Sequence, residues 1–295
     1  MQIVRPPLTD PVRRFGRREI DFDRRIAVMA IVNRTPDSFF DRGATFALDR
    51  AVEAALQAAA DGADWVDIGG AKFAPGPEIG AEEELDRVLP VVREVAAASD
   101  VAISVDTFRA SVAAACLEAG AHIVNDTTGL SDPDMAAVVA ASGASLVITH
   151  SLAAPRQPYP RPHYDDVAGQ VRAFLERRID AAVAAGIPLE RLFVDPGHDL
   201  NKNTVQSLEL TRRLAEITSL GLPTLAAVSN KDFIGESLGA PKGERREGSI
   251  VAATVCALLG ARVVRMHDVP AAVSSMRMVE AVLGFRAPVE AVHNV

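Results

Sequence analysis

Two cysteines, Cys116 and Cys256, are all that 295 residues contain, and both sit in Ala-rich apolar stretches without the paired spacing of a metal or disulfide framework. That excludes a disulfide scaffold and points to a reducing compartment, the cytoplasm. Positive charge is also scarce: 31 Lys and Arg stand against 39 Asp and Glu, a net charge of −8. This balance argues against an electrostatic grip on nucleic acid or an anionic membrane, although local basic clusters remain able to hold a small anion. No apolar run approaches the roughly 18 residues of a membrane span, and Ile250 to Gly260 is among the longest. The opening MQIVRPPLTDPVRR sets prolines and charges where an export signal needs continuous apolar residues. No GxGxxG follows the first strand-like run, and neither a GxSxG elbow nor a Cys–His arrangement supplies a nucleophile.

What is present is enough apolar sequence, 48% of residues, for a sizeable core. Residues 1–20, rich in Pro and Arg, lack helical or strand periodicity and read as an N-terminal arm, leaving residues 21–295 as one domain. Eight short apolar runs follow: Ile26 to Val32, Trp65 to Ile68, Val101 to Val105, Ile123 to Val124, Ser145 to Ile148, Leu192 to Val194, Thr224 to Val228 and Val263 to Met266. Between them lie helix-like stretches, including 47–61, 82–97, 109–119, 164–185 and 204–220. Several stop at a glycine that can take the left-handed conformation ending a helix: Gly62, Gly120, Gly186 and Gly260. Near-continuous apolar strands alternating with helices predict a parallel sheet covered by helices. Eight such units predict an α/β fold of the (β/α)8 TIM-barrel type, with a doubly wound open sheet as the rival.

In a closed parallel barrel the strands' C-terminal ends gather the functional groups. Those positions hold Asn33, Asp67, Asp106, Asn125 with Asp126, His150, Asp195, Lys231, and Arg265 with His267. Any one alone has a plainer reading as a helix cap or solvated loop residue, Thr107 and Asp126 above all. Together, carboxylates and amides on the middle strands with cationic and imidazole groups on the last suit a polar heterocycle beside a leaving anion.

The motifs Asn33-Arg34-Thr35-Pro36-Asp37-Ser38-Phe39, Asp67-Ile68-Gly69-Gly70, Ser104-Val105-Asp106-Thr107, Val124-Asn125-Asp126, Asp195-Pro196-Gly197 with Lys202, Ser229-Asn230-Lys231 and Arg265-Met266-His267-Asp268-Val269 occur in an order that resembles the dihydropteroate synthase family of folate biosynthesis. The resemblance spans about residues 26 to 285 and implies a (β/α)8 pterin-binding transferase. Such an enzyme joins 6-hydroxymethyl-7,8-dihydropterin diphosphate to p-aminobenzoate and releases diphosphate. It implies that Asp106, Asn125, Asp195 and Lys231 hold the pterin edge, with Asp106, Lys231 and Asp195 at the catalytic centre. Arg265 and His267 match the family's anion-binding pair, and Asn33 matches its Mg2+ or diphosphate contact. The family is commonly homodimeric, and the final helices, Gly248 to Leu259 and Pro270 to Gly284, offer faces to a second copy.

The chain also departs from the family pattern. Phe73 and Ala74 stand where Thr and Arg are usual, and around Lys231 the positions of an Arg and a Ser hold Asn230 and Asp232. A charge-assisted hydrogen bond contributes about 1.5–3 kcal/mol, so two missing arginines near a diphosphate imply weak synthase activity, and Asp232 adds repulsion. Arg34, Arg42 and Lys72 are the residues placed to compensate. Three alternatives follow: an inactive pterin-binding paralogue, a transferase with a different acceptor amine, and a pterin-dependent methyl transferase. The NxTPDSF loop and the Arg265-x-His267 pair count against the last, because a methyl donor needs no diphosphate site.

Overall fold

The computed structural model describes residues 3, 5–33, 44–158, 161 and 163–293. The chain opens with an antiparallel hairpin, β1 (Val12–Phe15) and β2 (Arg18–Asp21), paired from Val12–Asp21 to Phe15–Arg18. Then follow β3 (Ala27–Asn33), α1 (Ala44–Ala60), β4 (Trp65–Gly69), α2 (Ala81–Ala98), β5 (Ala102–Asp106), α3 (Ala110–Glu118), β6 (Ile123–Asp126), α4 (Met135–Ser142), β7 (Ser145–Thr149), α5 (Val167–Ala184), β8 (Leu192–Asp195), α6 (Thr204–Arg212), α7 (Leu214–Thr218), β9 (Leu225–Ala226), α8 (Asp232–Leu238), α9 (Arg246–Leu258), β10 (Val263–Met266) and α10 (Val269–Val282). The eight strands β3 to β10 pair in parallel in the order β8-β7-β6-β5-β4-β3-β10-β9. A parallel bridge between Val194 and Thr224 joins the two ends, so the (β/α)8 barrel read from the sequence is the observed fold.

Each expected strand is found within a residue or three of its predicted bounds. The glycine stops are Schellman-type ends. Ala121 N donates to Cys116 O at 2.9 Å around Gly120 (φ 111°), and Ala261 N to Cys256 O at 2.9 Å around Gly260 (φ 104°). The stretch 204–220, read as one helix, breaks at Arg213, whose side chain bonds Glu209, Glu216 and Asp166. No helix among the described residues is long and apolar enough to cross a membrane.

Within the stretch read as lacking strand periodicity, and one residue past it, residues 12–21 form the hairpin. The hairpin covers the N-terminal end of the barrel, where Phe15, Ile20 and Phe22 join Trp65 and Phe193 in a buried aromatic cluster; Phe15–Trp65 and Trp65–Phe193 ring centroids lie 5.9 and 5.5 Å apart. Its strand pattern was masked because the inward face of β1 carries Arg13 as well as Phe15, which breaks the apolar–polar alternation.

Inward side chains change character along the barrel axis. At the bottom, Met29, Trp65, Ala102, Ile123, Val147, Phe193, Leu225 and Val263 form an apolar plug. Two and four residues further along the same strands come Asp67 and Gly69, Ser104 and Asp106, Asn125, Thr149, Asp195 and Arg265. The alternation of a strand keeps these on the inner face, so the chain closes the bottom with hydrocarbon and opens the top with polar groups.

Candidate functional site

Strand register sets the geometry of the mouth. Asn33 pairs with Gly69, Gly69 with Asp106, and Asp106 with Asn125, while Thr149 pairs with Asp195. Asn33, Gly69, Asp106 and Asn125 share one row and Thr149 and Asp195 the next, because Asn125 pairs with Val147, two residues before Thr149; Gly69 is the position that lets its neighbours converge. A Cβ there would lie 3.3 Å from Asn33 Oδ1 and 3.4 Å from Asp106 Cβ. Asp67, fully buried one step below, accepts from Ser104 Oγ at 2.5 Å, Asn125 Nδ2 at 3.0 Å and Arg265 Nε at 2.7 Å. Arg265 also reaches Asp106 Oδ2 at 3.1 Å. Asp67 therefore orients both the Asn125 amide and the Arg265 guanidinium.

Above these rows lies a cavity of about 310 Å3, whose walls include Asn33, Asp106, Asn125, Asp195, Lys231 and Arg265. Thr149, Lys72, Phe73, Ala74, Leu200 and Ala227 complete much of the remainder. Six sequence-predicted site residues are thus brought to one place. Among the described residues, Asn125 Oδ1 and Thr149 Oγ1 are buried without a hydrogen-bond partner. Buried acceptors and donors of this kind are costly unless a ligand completes them.

His267 is placed elsewhere. Its Nδ1 lies 2.9 Å from Ser229 Oγ in an adjacent crevice with Asn230, Arg245 and Arg246. His150, also at a strand end, turns away from the cavity: it stacks edge-on against Phe174, and its Nδ1 sits 2.9 Å from Lys202 Nζ. Asp126 caps its own turn, accepting from the Thr128 and Leu130 amides at 2.8 and 2.7 Å. Asp232 does not line the cavity either. It is exposed and pairs with Arg245 at 2.8 Å, so the repulsion expected from it is offset by a neighbouring cation. Arg245 in turn donates to the Asn230 and Lys231 carbonyls at 3.2 and 3.1 Å and holds the loop that carries Lys231. Arg34 and Arg42 lie outside the described residues.

The mouth carries shifted acidities. Burial lifts Asp195 to about 6, opposed by the Gly197 amide at 2.7 Å and by Lys231 and Lys202. Burial and the Asp67 carboxylate lift Asp106 to about 7, with Arg265 pulling the other way. Burial lowers the ammonium of Lys231, opposed by Asp199, Asp195 and Asp106. Lys202, whose Nζ also donates to Gly197 O and Leu200 O at 2.9 and 3.2 Å, is lowered by burial from its ordinary 10.5 to about 7. The native state therefore binds fewer protons there than the unfolded chain between pH 7 and about 10.5, so stability from this group rises with pH across that window. Lys202→Met should abolish that rise in denaturant titrations at pH 7 and 9.5; a slope identical to the unmodified chain would contradict the assignment.

Sequence reasoning gave no role to Arg156, which lies in the loop after β7 and reaches across to the second loop. Its side chain donates to Pro77 O at 2.9 Å, Ala74 O at 2.7 Å and Lys72 O at 3.3 Å. No local pattern announces such a contact, whereas Asp67 and Thr149 were readable from the every-second-residue alternation of their strands. Arg156→Ala is expected to speed limited proteolysis within residues 71–78 at least threefold, as followed by mass spectrometry of the fragments.

A Mg2+ ion takes oxygen ligands, keeps several waters and is commonly held by one or two protein groups plus substrate phosphates. Asn33 Oδ1, beside Asp106, supplies one such oxygen. Among the described residues no cluster of three or more His, Cys, Asp or Glu could cage an ion. The residues fit a cation that arrives on phosphate oxygens, with Asn33 as a single protein ligand.

The pterin-binding enzyme family model matches residues 29–267. The chain is 44% identical over 280 residues to a protein of Mycobacterium tuberculosis called inactive dihydropteroate synthase 2, covering 92% of this chain and 87% of that one. It is 40% identical over 257 residues to dihydropteroate synthase of Escherichia coli, covering 87% and 91%. Among solved structures, the Xanthomonas albilineans dihydropteroate synthase with 4-aminobenzoic acid superposes with a TM-score of 0.87 at 39% identity, covering 93% of this chain and 99% of that one.

Proposed function

The chain belongs to the pterin-binding enzyme family, of the dihydropteroate synthase kind, and from that membership we propose that its mouth holds the pterin of 6-hydroxymethyl-7,8-dihydropterin diphosphate and condenses it slowly with p-aminobenzoate. The observation that carries the reading is the convergence of Asp106, Asn125, Asp195 and Lys231 on one cavity in which the Asn125 carbonyl is buried without a partner among the described residues. An amino-pyrimidinone edge presents alternating donors and acceptors. Carboxylates accept, an ammonium donates, and an amide does both.

In the condensation the methylene C–O bond breaks, its electron pair leaves on diphosphate oxygen, and the arylamine nitrogen bonds to the methylene and sheds a proton. Asp106, Asp195 and Asn125 fix the ring, and the carboxylates favour positive charge developing on it. Lys231 and Arg265 supply the cations nearest the departing group. Mg2+, carried with the diphosphate and touching Asn33, would spread the leaving group's charge. Two features make the step slow: Arg265 is shared with Asp67 and Asp106, and His267, lowered to about 4 by partial burial and then by Arg265 and Lys231, is neutral at pH 7. Diphosphate release that requires both substrates supports this function.

The likeness to a protein named inactive dihydropteroate synthase 2 favours a second reading, pterin binding without turnover. Pterin affinity with no release above the enzyme-free rate would select it. The working compartment in both readings is the cytoplasm. The assembly is a homodimer through α9 and α10, where Val251, Met278 and Val282 are more than half exposed at 62%, 61% and 66%. Val251→Glu with Met278→Glu should convert a dimer to a monomer in light scattering after gel filtration; a monomer before substitution would refute the assembly.

A further inference from the structure

At the opposite end of the barrel from the mouth, the inward face of β1 places a cation where the fold gives it no hydrogen-bonding counterpart. Arg13 is 2% exposed, and among the described residues its Nε, Nη1 and Nη2 find no acceptor. The nearest carboxylate, Asp10, stands 3.5 Å from Nη1 without closing a hydrogen bond and is half exposed itself. Two other arginines at this end are each anchored through at least one nitrogen: buried Arg262 donates to Pro6 O at 2.8 Å and half-buried Arg277 to Ile26 O at 2.7 Å, although Arg262 Nε and Nη1 and Arg277 Nε find no partner among the described residues. A buried guanidinium with all its donors idle is among the costliest arrangements in a folded chain unless something completes it.

Arg13 borders a cavity of about 420 Å3 between the hairpin and the starts of β7 and β8. Arg191 and Arg14 line the same space, with His122, Ser145 and Glu190. Arg14 is spoken for, bonded to Glu19 at 2.8 Å, which leaves Arg13 and Arg191, with Glu190 the one carboxylate among the described lining residues and Asp10 3.5 Å from Arg13 outside it. Two arginines from separate segments, one on the hairpin and one just before β8, border the same space, a pairing of residue types suited to an oxygen-rich anion.

We propose that this cavity binds a small phosphate-type oxyanion, held between Arg13 and Arg191, which ties the N-terminal hairpin to the base of the barrel. The site is separate from the pterin mouth and uses none of its residues. Glu190 competes with the anion for the same guanidiniums.

The test is calorimetry of the full chain with inorganic phosphate against sodium chloride of equal ionic strength, paired with thermal unfolding. One saturable site is expected, and phosphate at tenfold its dissociation constant should raise Tm by about 2 °C. Arg13→Met and Arg191→Gln should each weaken phosphate at least tenfold, Glu190→Gln should tighten it several-fold, and Lys231→Met in the mouth should leave it unchanged. If Arg13→Met does not fold, the opposite effects expected of Arg191→Gln and Glu190→Gln decide the matter alone. Heat no greater than the chloride control, or binding lost in Lys231→Met but kept in Arg191→Gln, would overturn the proposal.

Discussion

Asp195→Asn should weaken binding of the pterin by about 100-fold while the chain stays folded. The Asp195 carboxylate already accepts from the Gly197 amide at one oxygen, a bond the asparagine carbonyl can keep. The other oxygen becomes an NH2 group facing ring donors. Loss of one charge-assisted bond accounts for about 1.5–3 kcal/mol, and donor against donor adds to it. Fluorescence titration measures the change; an affinity within threefold of the unmodified protein would show that the ring lies elsewhere. The same carboxylates set a pH signature with two opposite signs. Binding needs ionised acceptors, so affinity should fall as pH drops through the values of about 7 and 6 held by Asp106 and Asp195. Stability of the unliganded protein runs the other way. The native state retains protons on these groups above their ordinary 3.8, so their contribution is largest at acid pH and declines as pH rises through 6 to 7. A pH-independent affinity between 5.5 and 8 would remove both carboxylates from the binding surface.

The second large effect is a gain. Ala74 is exposed and lines the cavity, and its carbonyl is held by Arg156 at 2.7 Å, so an arginine side chain there projects from a fixed backbone. Ala74→Arg should tighten pterin diphosphate by about 10- to 100-fold, the worth of one charge-assisted contact, and change the pterin lacking diphosphate by less than twofold. Asn230→Arg is expected to do little. Asn230 has φ 59°, in the left-handed region that asparagine tolerates better than arginine, and it faces the neighbouring crevice. Competition titrations with both pterins measure the contrast. An equal gain for the two would mean that the new charge does not meet the tail.

The barrel and most of its mouth were legible because both rest on short-range rules. Helix and apolar strand alternate around the eight strands, several helices stopping at a glycine, and a polar residue at each strand end must point inward or upward once the sheet closes. The outcomes that sequence did not give depend on contacts between distant segments. Arg245 neutralises Asp232 and pins the Lys231 loop; Arg156 carries the second loop; Lys202 draws His150 out of the mouth. None of these pairs has a spacing to read. The hairpin was hidden for a different reason, an arginine on the face that alternation reserves for apolar side chains.

A crystal of the chain soaked with the hydroxymethyl-dihydropterin tests the central claim most directly. The expected result is ring density in the cavity, its amino-pyrimidinone edge against Asp195, Asn125 and Asp106, with the Asn125 carbonyl gaining its partner. Ring density confined to another crevice, with this cavity holding only solvent, would contradict it.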